Sequence, residues 1–206
     1  MVITEISNQK KKGRYNLFVD GEFYSGIDAE GIVKAGLKVG FETSKEQLDE
    51  IIIESEKRSA FAKLIDIISR QMKTKKEIES KLIQYGYNKI AVELAIKQAE
   101  EYGYINDKEY ALLLTKAKSN KSRAEIKQAL FQKGINSALI KEAVDQISEL
   151  DEKQRAKDLA EKYMKNKEVN QKTLSSLYAY LARKGFGSQI INSVLRFFKS
   201  DFEGEE

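Results

Sequence analysis

Apolar positions in this chain recur at helical spacing in three places, and each time the pattern is interrupted by a glycine and then resumed. The stretches read TKKEIESKLIQYGYNKIAVELAI from Thr74, SRAEIKQALFQKGINSALIKEAV from Ser122 and TLSSLYAYLARKGFGSQIINSVL from Thr173. Aligned on Gly86, Gly134 and Gly185, they place Ile78, Ile126 and Leu177 eight residues before the turn and Leu82, Leu130 and Leu181 four before it. Each pair lies one helical turn apart on one face, so the spacing predicts an amphipathic helix ending at the glycine. A large apolar residue follows at once (Tyr87, Ile135, Phe186), and another comes ten residues after the glycine (Ile96, Val144, Leu195). The glycines stand 48 and 51 residues apart, a period that marks a tandem helical array.

Thr74 and Ser122 precede Glu77 and Glu125 by three residues, the spacing at which hydroxyl and carboxylate satisfy the first helical amides reciprocally. Thr173 takes the same place in the third copy, with Ser176 where the glutamate would be. The glycine permits a left-handed cap, and Asn88, Asn136 or Ser137, and Ser188 are candidate N-caps for the returning helix. One more helix is expected before each hairpin, near 57–70, 106–118 and 152–166. By spacing, the second should bury Tyr110, Leu113, Leu114 and Ala117, and the third Ala156, Leu159, Ala160 and Tyr163.

Before Gly40 the text differs. The chain has no proline, and six of its twelve glycines fall in these first 40 residues. Val2–Ile6, Tyr15–Val19 and Glu22–Tyr24 read as short strands, with Asp20-Gly21 as a two-residue hairpin turn. Phe18, Phe23 and Tyr24 are expected to pack this small sheet on the helices that follow. Ala29–Leu37 predicts a short helix weakened by Gly31 and Gly36. Thr43 and Glu46 suggest another capping box, and an apolar stripe runs from Leu48 through Ile51, Ile52 and Ile53 toward Phe61, Leu64, Ile65 and Ile68. The expected fold is all-α: three tandem three-helix repeats in an elongated array (57–105, 106–150, and 151–206 with an acidic tail) behind an N-terminal β-hairpin and helical extension (1–56).

Composition narrows the chemistry. With no cysteine and no histidine, the chain lacks thiolate ligands, imidazole ligands and the commonest general base. It shows no phosphate-binding glycine loop, no HExxH and no nucleophile elbow, so neither catalysis nor a cofactor or metal is expected. No apolar run approaches the ~18 residues of a membrane span, and a soluble cytoplasmic protein with no membrane association is expected.

Charge then separates the faces. Residues 1–56 hold seven Lys/Arg against eleven Asp/Glu, a net of −4, which leaves +8 on the remaining 150 residues. Positive residues gather around the first hairpin helix of each repeat and its approach, whereas the returning helices are more acidic. In register, they would form a basic stripe facing a polyanion or a protein partner. The candidate binding residues are Lys73, Lys76, Lys81, Arg123, Lys127, Lys133, Arg183 and Lys184. Where a base-reading helix needs Arg, Asn or Gln, the second hairpin helix shows Val92-Glu93-Leu94 in the first copy and Lys141-Glu142 in the second, so any nucleic acid is expected to be held through its phosphates.

FVDGEFYSG at 18–26, EEYGYINDKEYA at 100–111, IKQALFQKGI at 126–135 and LYAYLARKGF at 177–186, in that order, resemble the RecX family of regulatory proteins over nearly the whole chain. The resemblance implies tandem three-helix repeats with a small N-terminal extension. It also implies regulation of the RecA recombinase: binding along the groove of the RecA filament and suppression of its ATPase, strand-exchange and co-protease activities. Separately from the resemblance, a monomer is expected. Two other readings stay open: a non-sequence-specific DNA-binding module acting alone, and a helical scaffold for another protein, docked through the acidic N-terminal segment and its hairpin.

Overall fold

Asp20 and Gly21 take φ values of 50° and 87°, the two positive values that a tight hairpin turn requires. They join β2 (Arg14–Val19) to β3 (Glu22–Asp28), and β1 (Ile3–Asn8) pairs with the other edge of β2. The sheet is antiparallel throughout, in the order β1-β2-β3. This computed structural model describes residues 1–10 and 13–203, with side chains as far as Lys199; Lys11, Lys12 and the end of the expected acidic tail lie outside the described residues. Ten helices follow the sheet among those residues, and the chain divides into two compact units, 1–106 and 107–206.

In the first unit the sheet docks through Ile3, Leu17, Val19 and Ile27, which pack with Leu37, Leu48 and Ile52. The expected aromatic docking face is thus largely corrected. Strand alternation turns Phe18 away from Leu17 and Val19, and it meets Phe23 edge to face at 5.9 Å, with Phe23 left exposed. Tyr24 alone of the three joins the packing, and its hydroxyl donates to Asp49 at 2.7 Å.

α1 (Ala29–Ala35) lies against α2 (Lys45–Ile68), a single helix of 24 residues that runs unbroken through residue 56. Its first half covers the sheet, and its second half supplies Leu64 and Ile67 to the core shared with α3 (Lys75–Gln84) and α4 (Lys89–Glu101). The capping box that starts α2 is Ser44 with Gln47, one residue beyond the expected pair. Gly31 is buried where α1 meets α2: a Cβ there would come within 2.7 Å of the Ser55 Cβ, so a residue that weakens the helix locally is what lets it approach.

Asp28 ties the sheet to both helices, accepting from the Gly31 amide at 2.6 Å and from the Ser59 hydroxyl. Burial alone would raise its carboxyl, but these hydrogen bonds outweigh burial and hold it below its ordinary value. A depressed folded pKa contributes stability above the unfolded value of about 3.9, and that stability is lost as pH falls through the folded value. Asp28→Asn should therefore shrink the difference between urea midpoints measured at about pH 5 and about pH 3; an unchanged difference would mean that Asp28 does not carry it.

The second unit holds α5 (Asp107–Ala117), α6 (Arg123–Gln132), α7 (Ser137–Asp145), α8 (Glu149–Met164), α9 (Gln171–Arg183) and α10 (Ser188–Glu203). α5–α7 enclose one core around Ile126, Leu130 and Ile140, and α8–α10 another around Leu177, Leu181 and Ile191. All three hairpin turns close identically: the residue after the glycine donates its amide to the leucine carbonyl five residues back, Tyr87 to Leu82, Ile135 to Leu130 and Phe186 to Leu181.

Three local expectations change. α5 buries Ala111 and Thr115, with Tyr110, Leu112 and Leu114 partly buried beside Ala111, and leaves Leu113 and Ala117 exposed, because its contact face is turned away from the one the apolar spacing suggested. α9 starts a turn early, with Asn170 as N-cap and Thr173 as its capping-box partner. α10 already includes Ser188.

Candidate functional site

Among the described residues, one surface in each unit gathers expected basic residues beside exposed aromatic side chains. In the first unit, a cleft of about 230 Å³ lies where α2 ends and α3 packs beside it. α2 contributes Lys63, Asp66 and, just past its end, Arg70; these are three and four residues apart and share a face. Asp66 accepts from Lys63 at 2.7 Å and from Arg70 at 2.9 Å. The hydrogen bond from Lys63 is the main reason the Asp66 carboxyl is held below its usual range, and the same bond raises the Lys63 ammonium. α3 adds Lys81 and, at its C-cap, Tyr85, whose ring centre is 4.9 Å from the Lys63 ammonium. Lys73 enters from the loop between the helices, 4.0 Å from Glu77.

In the second unit, α6 and α7 border a groove of about 730 Å³. Its wall is apolar, with Phe131, Ile140 and Val144, and its rim carries Lys127, Lys141 and Asp145. Phe131 is 73% exposed, a large apolar side chain with no core to join. The groove exists because α6 turns Ile126 and Leu130 into the core while Lys127 and Phe131, one position along, share the neighbouring face.

The predicted basic residues divide between these surfaces and other tasks. Lys73 and Lys81 come together in the cleft, and Lys127 stands on the groove rim. Lys76 is exposed on α3 and pairs with Glu79 at 3.0 Å. Arg183 is exposed at the last position of α9, and Lys133 caps α6. Lys184 lies 5.9 Å from the Tyr180 ring, and its carbonyl accepts from the buried Ser122 hydroxyl at 2.6 Å.

Arg123 turns inward. Its guanidinium meets the buried Glu152 at 3.3 Å and donates to the Ile147 carbonyl, while Glu152 also accepts from the Arg123 amide at 3.2 Å. Arg155 reaches the Lys121 carbonyl at 3.0 Å, so this junction of α6 with α8 is held by charge-assisted hydrogen bonds. Arg123→Ala is expected to destabilise the second unit by about 1–2 kcal/mol, since the guanidinium is partly solvated. Lys127→Ala should stay within about 0.5 kcal/mol in the same urea titration; equal effects would contradict the inward placement.

Lys63, Tyr85, Phe131 and Lys141 were not among the residues expected to form the basic stripe, and Arg70, counted among its positive residues, was not among the candidate binding residues. The i, i+3, i+7 spacing of 63, 66 and 70 and the i, i+4 spacing of 81 and 85 would have grouped the cleft. Helical spacing sets Phe131 off the face of Ile126 and Leu130, but nothing in the sequence shows whether another element covers it. Among the described residues no group of three or more His, Cys, Asp or Glu side chains is placed to hold a metal ion, and no helix is long and apolar enough to cross a membrane.

A small three-stranded sheet leading into successive three-helix groups defines a mostly helical protein of the helical-repeat class, with a basic cleft and an apolar groove on its helices. Residues 1–43 match the RecX N-terminal domain model, described as that of a regulatory protein, and residues 151–195 match the model of the third RecX three-helix domain. The regulatory protein RecX of Clostridium beijerinckii is 35% identical over 205 residues, with 94% of each chain covered. That of Bacillus cereus strain B4264 is 31% identical, covering all of this chain and 80% of its own. A crystal structure of a regulatory protein RecX superposes with a TM-score of 0.68 at 27% identity, covering 94% of this chain and 98% of that one. RecX from Lactobacillus salivarius shares the fold, with a TM-score of 0.66 at 22% identity over 70% of this chain. The chain belongs to the RecX family of regulatory proteins.

Proposed function

We propose that this protein binds the RecA nucleoprotein filament as a monomer in the cytoplasm and inhibits its ATPase, strand-exchange and co-protease activities by occupying the filament groove. The reading takes each three-helix group as one repeat, with divisions near residues 56, 105 and 150. The single observation that carries the protein-binding part is the groove between α6 and α7. An exposed aromatic side chain beside an apolar wall, ringed by charged residues, has the composition of a protein-docking centre with a polar rim. Lys73, Lys76, Lys81, Lys133, Arg183 and Lys184 would add charged contacts to RecA or to DNA, and Arg123 would act mainly by holding α6. Bound in the groove, the protein would exclude a second duplex or a repressor sterically, with no chemistry of its own.

The test is RecA-catalysed ATP hydrolysis on single-stranded DNA, with this protein added below stoichiometry before or after filament assembly. Inhibition at low ratios is expected, and the order of addition distinguishes blocked growth from groove occupancy. The triple variant Lys127→Glu, Phe131→Ser, Lys141→Glu should need at least about tenfold more protein for half-inhibition, as befits loss of a binding centre. Unaltered inhibition by the folded variant would remove the groove from the reading.

A second reading, a module that binds nucleic acid through phosphates without RecA, is favoured by the basic cleft of the first unit. Steep salt dependence of binding to bare DNA is its mark.

A further inference from the structure

The cleft between α2 and α3 carries more than positive charge. Lys63, Arg70, Lys73 and Lys81 face it against the carboxylates of Asp66 and Glu77, so cations are in excess by two. Asp66 takes both Lys63 and Arg70, which holds two long cationic side chains on one wall and reduces the freedom they lose when a ligand arrives. Lys81 on the opposite wall has no ion-pair partner among the described residues. Tyr85 stands at the mouth, 58% exposed, with the Lys63 ammonium against its ring.

An exposed aromatic ring beside an electropositive cleft is the pairing that single-stranded nucleic acid requires: cations track the phosphates, and the ring accepts an unstacked base. The bases of a duplex are already stacked on one another and offer no free face to the ring. An acidic protein segment would satisfy the cations but leave the ring without its partner. We propose that this cleft binds single-stranded nucleic acid, with a backbone phosphate held by Arg70 and Lys81 and the adjoining base stacked on Tyr85. The site rests on the nucleic-acid-binding reading and specifies its ligand and its contacts.

The experiment is fluorescence anisotropy of a labelled oligothymidylate of about 15 nucleotides, a length within the usual site sizes, titrated with the full chain in the absence of RecA. Tyr85→Ser should weaken binding about tenfold or more, whereas Tyr85→Phe, which keeps the ring, should stay within about twofold of wild type. Arg70→Gln and Lys81→Gln should each lower the slope of log affinity against log salt by about 0.7. All three positions are exposed, and unchanged far-UV circular dichroism establishes that the variants are folded. Equal affinity of wild type and Tyr85→Ser would overturn the base contact while leaving phosphate binding in place. Competition by polyglutamate as effective as that by unlabelled oligonucleotide would assign the cleft to an acidic protein segment. Absence of any binding by the wild type would overturn both the site and the reading on which it rests.

Discussion

Gly185→Ala is expected to destabilise the second unit by about 2–4 kcal/mol, and Gly86→Ala to cost the first unit only about 1 kcal/mol. Both glycines are left-handed, with φ of 81° and 87°, so each substitution carries the strain of a Cβ in that region. Their surroundings differ. A Cβ on Gly86 would meet nothing within 4 Å, whereas one on Gly185 would lie 2.9 Å from the Ala124 Cβ and 3.0 Å from the Ser122 hydroxyl. That hydroxyl is buried and already engaged: it accepts from the Glu125 amide at 3.1 Å and donates to the Lys184 carbonyl at 2.6 Å. The start of α6 and the turn after α9 are therefore packed directly on each other, through a buried, hydrogen-bonded hydroxyl and a Cβ fixed to the helix backbone, neither of which yields easily. Hydrogen exchange of the α6 and α9 amides, read against those of α3, measures each unit separately. Equal costs at the two glycines would show that the α6 junction tolerates a methyl group and is looser than described.

Leu130→Ala should cost about 2–5 kcal/mol and lower the melting temperature of the second unit by about 10 °C or more. Leu130 is fully buried among Ile126, Ile135, Ile140 and Ala143, and a close-packed core relaxes only partly around the cavity its truncation would leave. Leu82 and Leu181 occupy the same place in their own cores and are likewise fully buried, so the corresponding alanine variants belong to the same range. Leu113 provides the contrast. Its spacing also suggests a core position, yet it is 48% exposed, and Leu113→Ala should fall within about 0.5 kcal/mol. Thermal melts of the pair decide the matter: comparable losses would mean that α5 packs on a different face.

Much of the fold was legible because it is written at short range. A hydroxyl three residues before a carboxylate, a glycine four residues after a buried leucine, and Asp-Gly between alternating runs act through the nearest backbone groups, and Thr74, Leu82, Gly86 and Asp20-Gly21 all take the expected conformations. Where two such signals overlapped, the structure chose between them. Ser44 rather than Thr43 caps α2, and Asn170 rather than Thr173 caps α9, because neighbouring hydroxyls and amides are nearly equivalent locally and the packing of the helix sets its start.

The candidate surfaces were less legible. Lys73, Lys81 and Lys127 were identified from charge alone, but charge does not say where a long side chain ends. Arg123 is as basic as any of them, and its guanidinium is drawn to Glu152, a residue 29 positions away that no local pattern connects to it. Phe131 and Phe186 both stand near a hairpin glycine, yet one lines an open groove and the other is buried in a core.

By itself, then, the sequence determined the three glycine hairpins, the leucines and isoleucines that close their cores, the turn of the small sheet and the excess of positive charge beyond residue 56. These follow from periodicity and from hydrogen bonds within about one helical turn. Only the tertiary structure decided that Gly185 is packed while Gly86 is open, that Arg123 faces inward, that Lys63, Arg70, Lys81 and Tyr85 share one cleft, and that Phe131 remains uncovered. Each depends on which distant element lies against a given helix face, and that is set by the packing of whole side-chain layers rather than by neighbours in the chain.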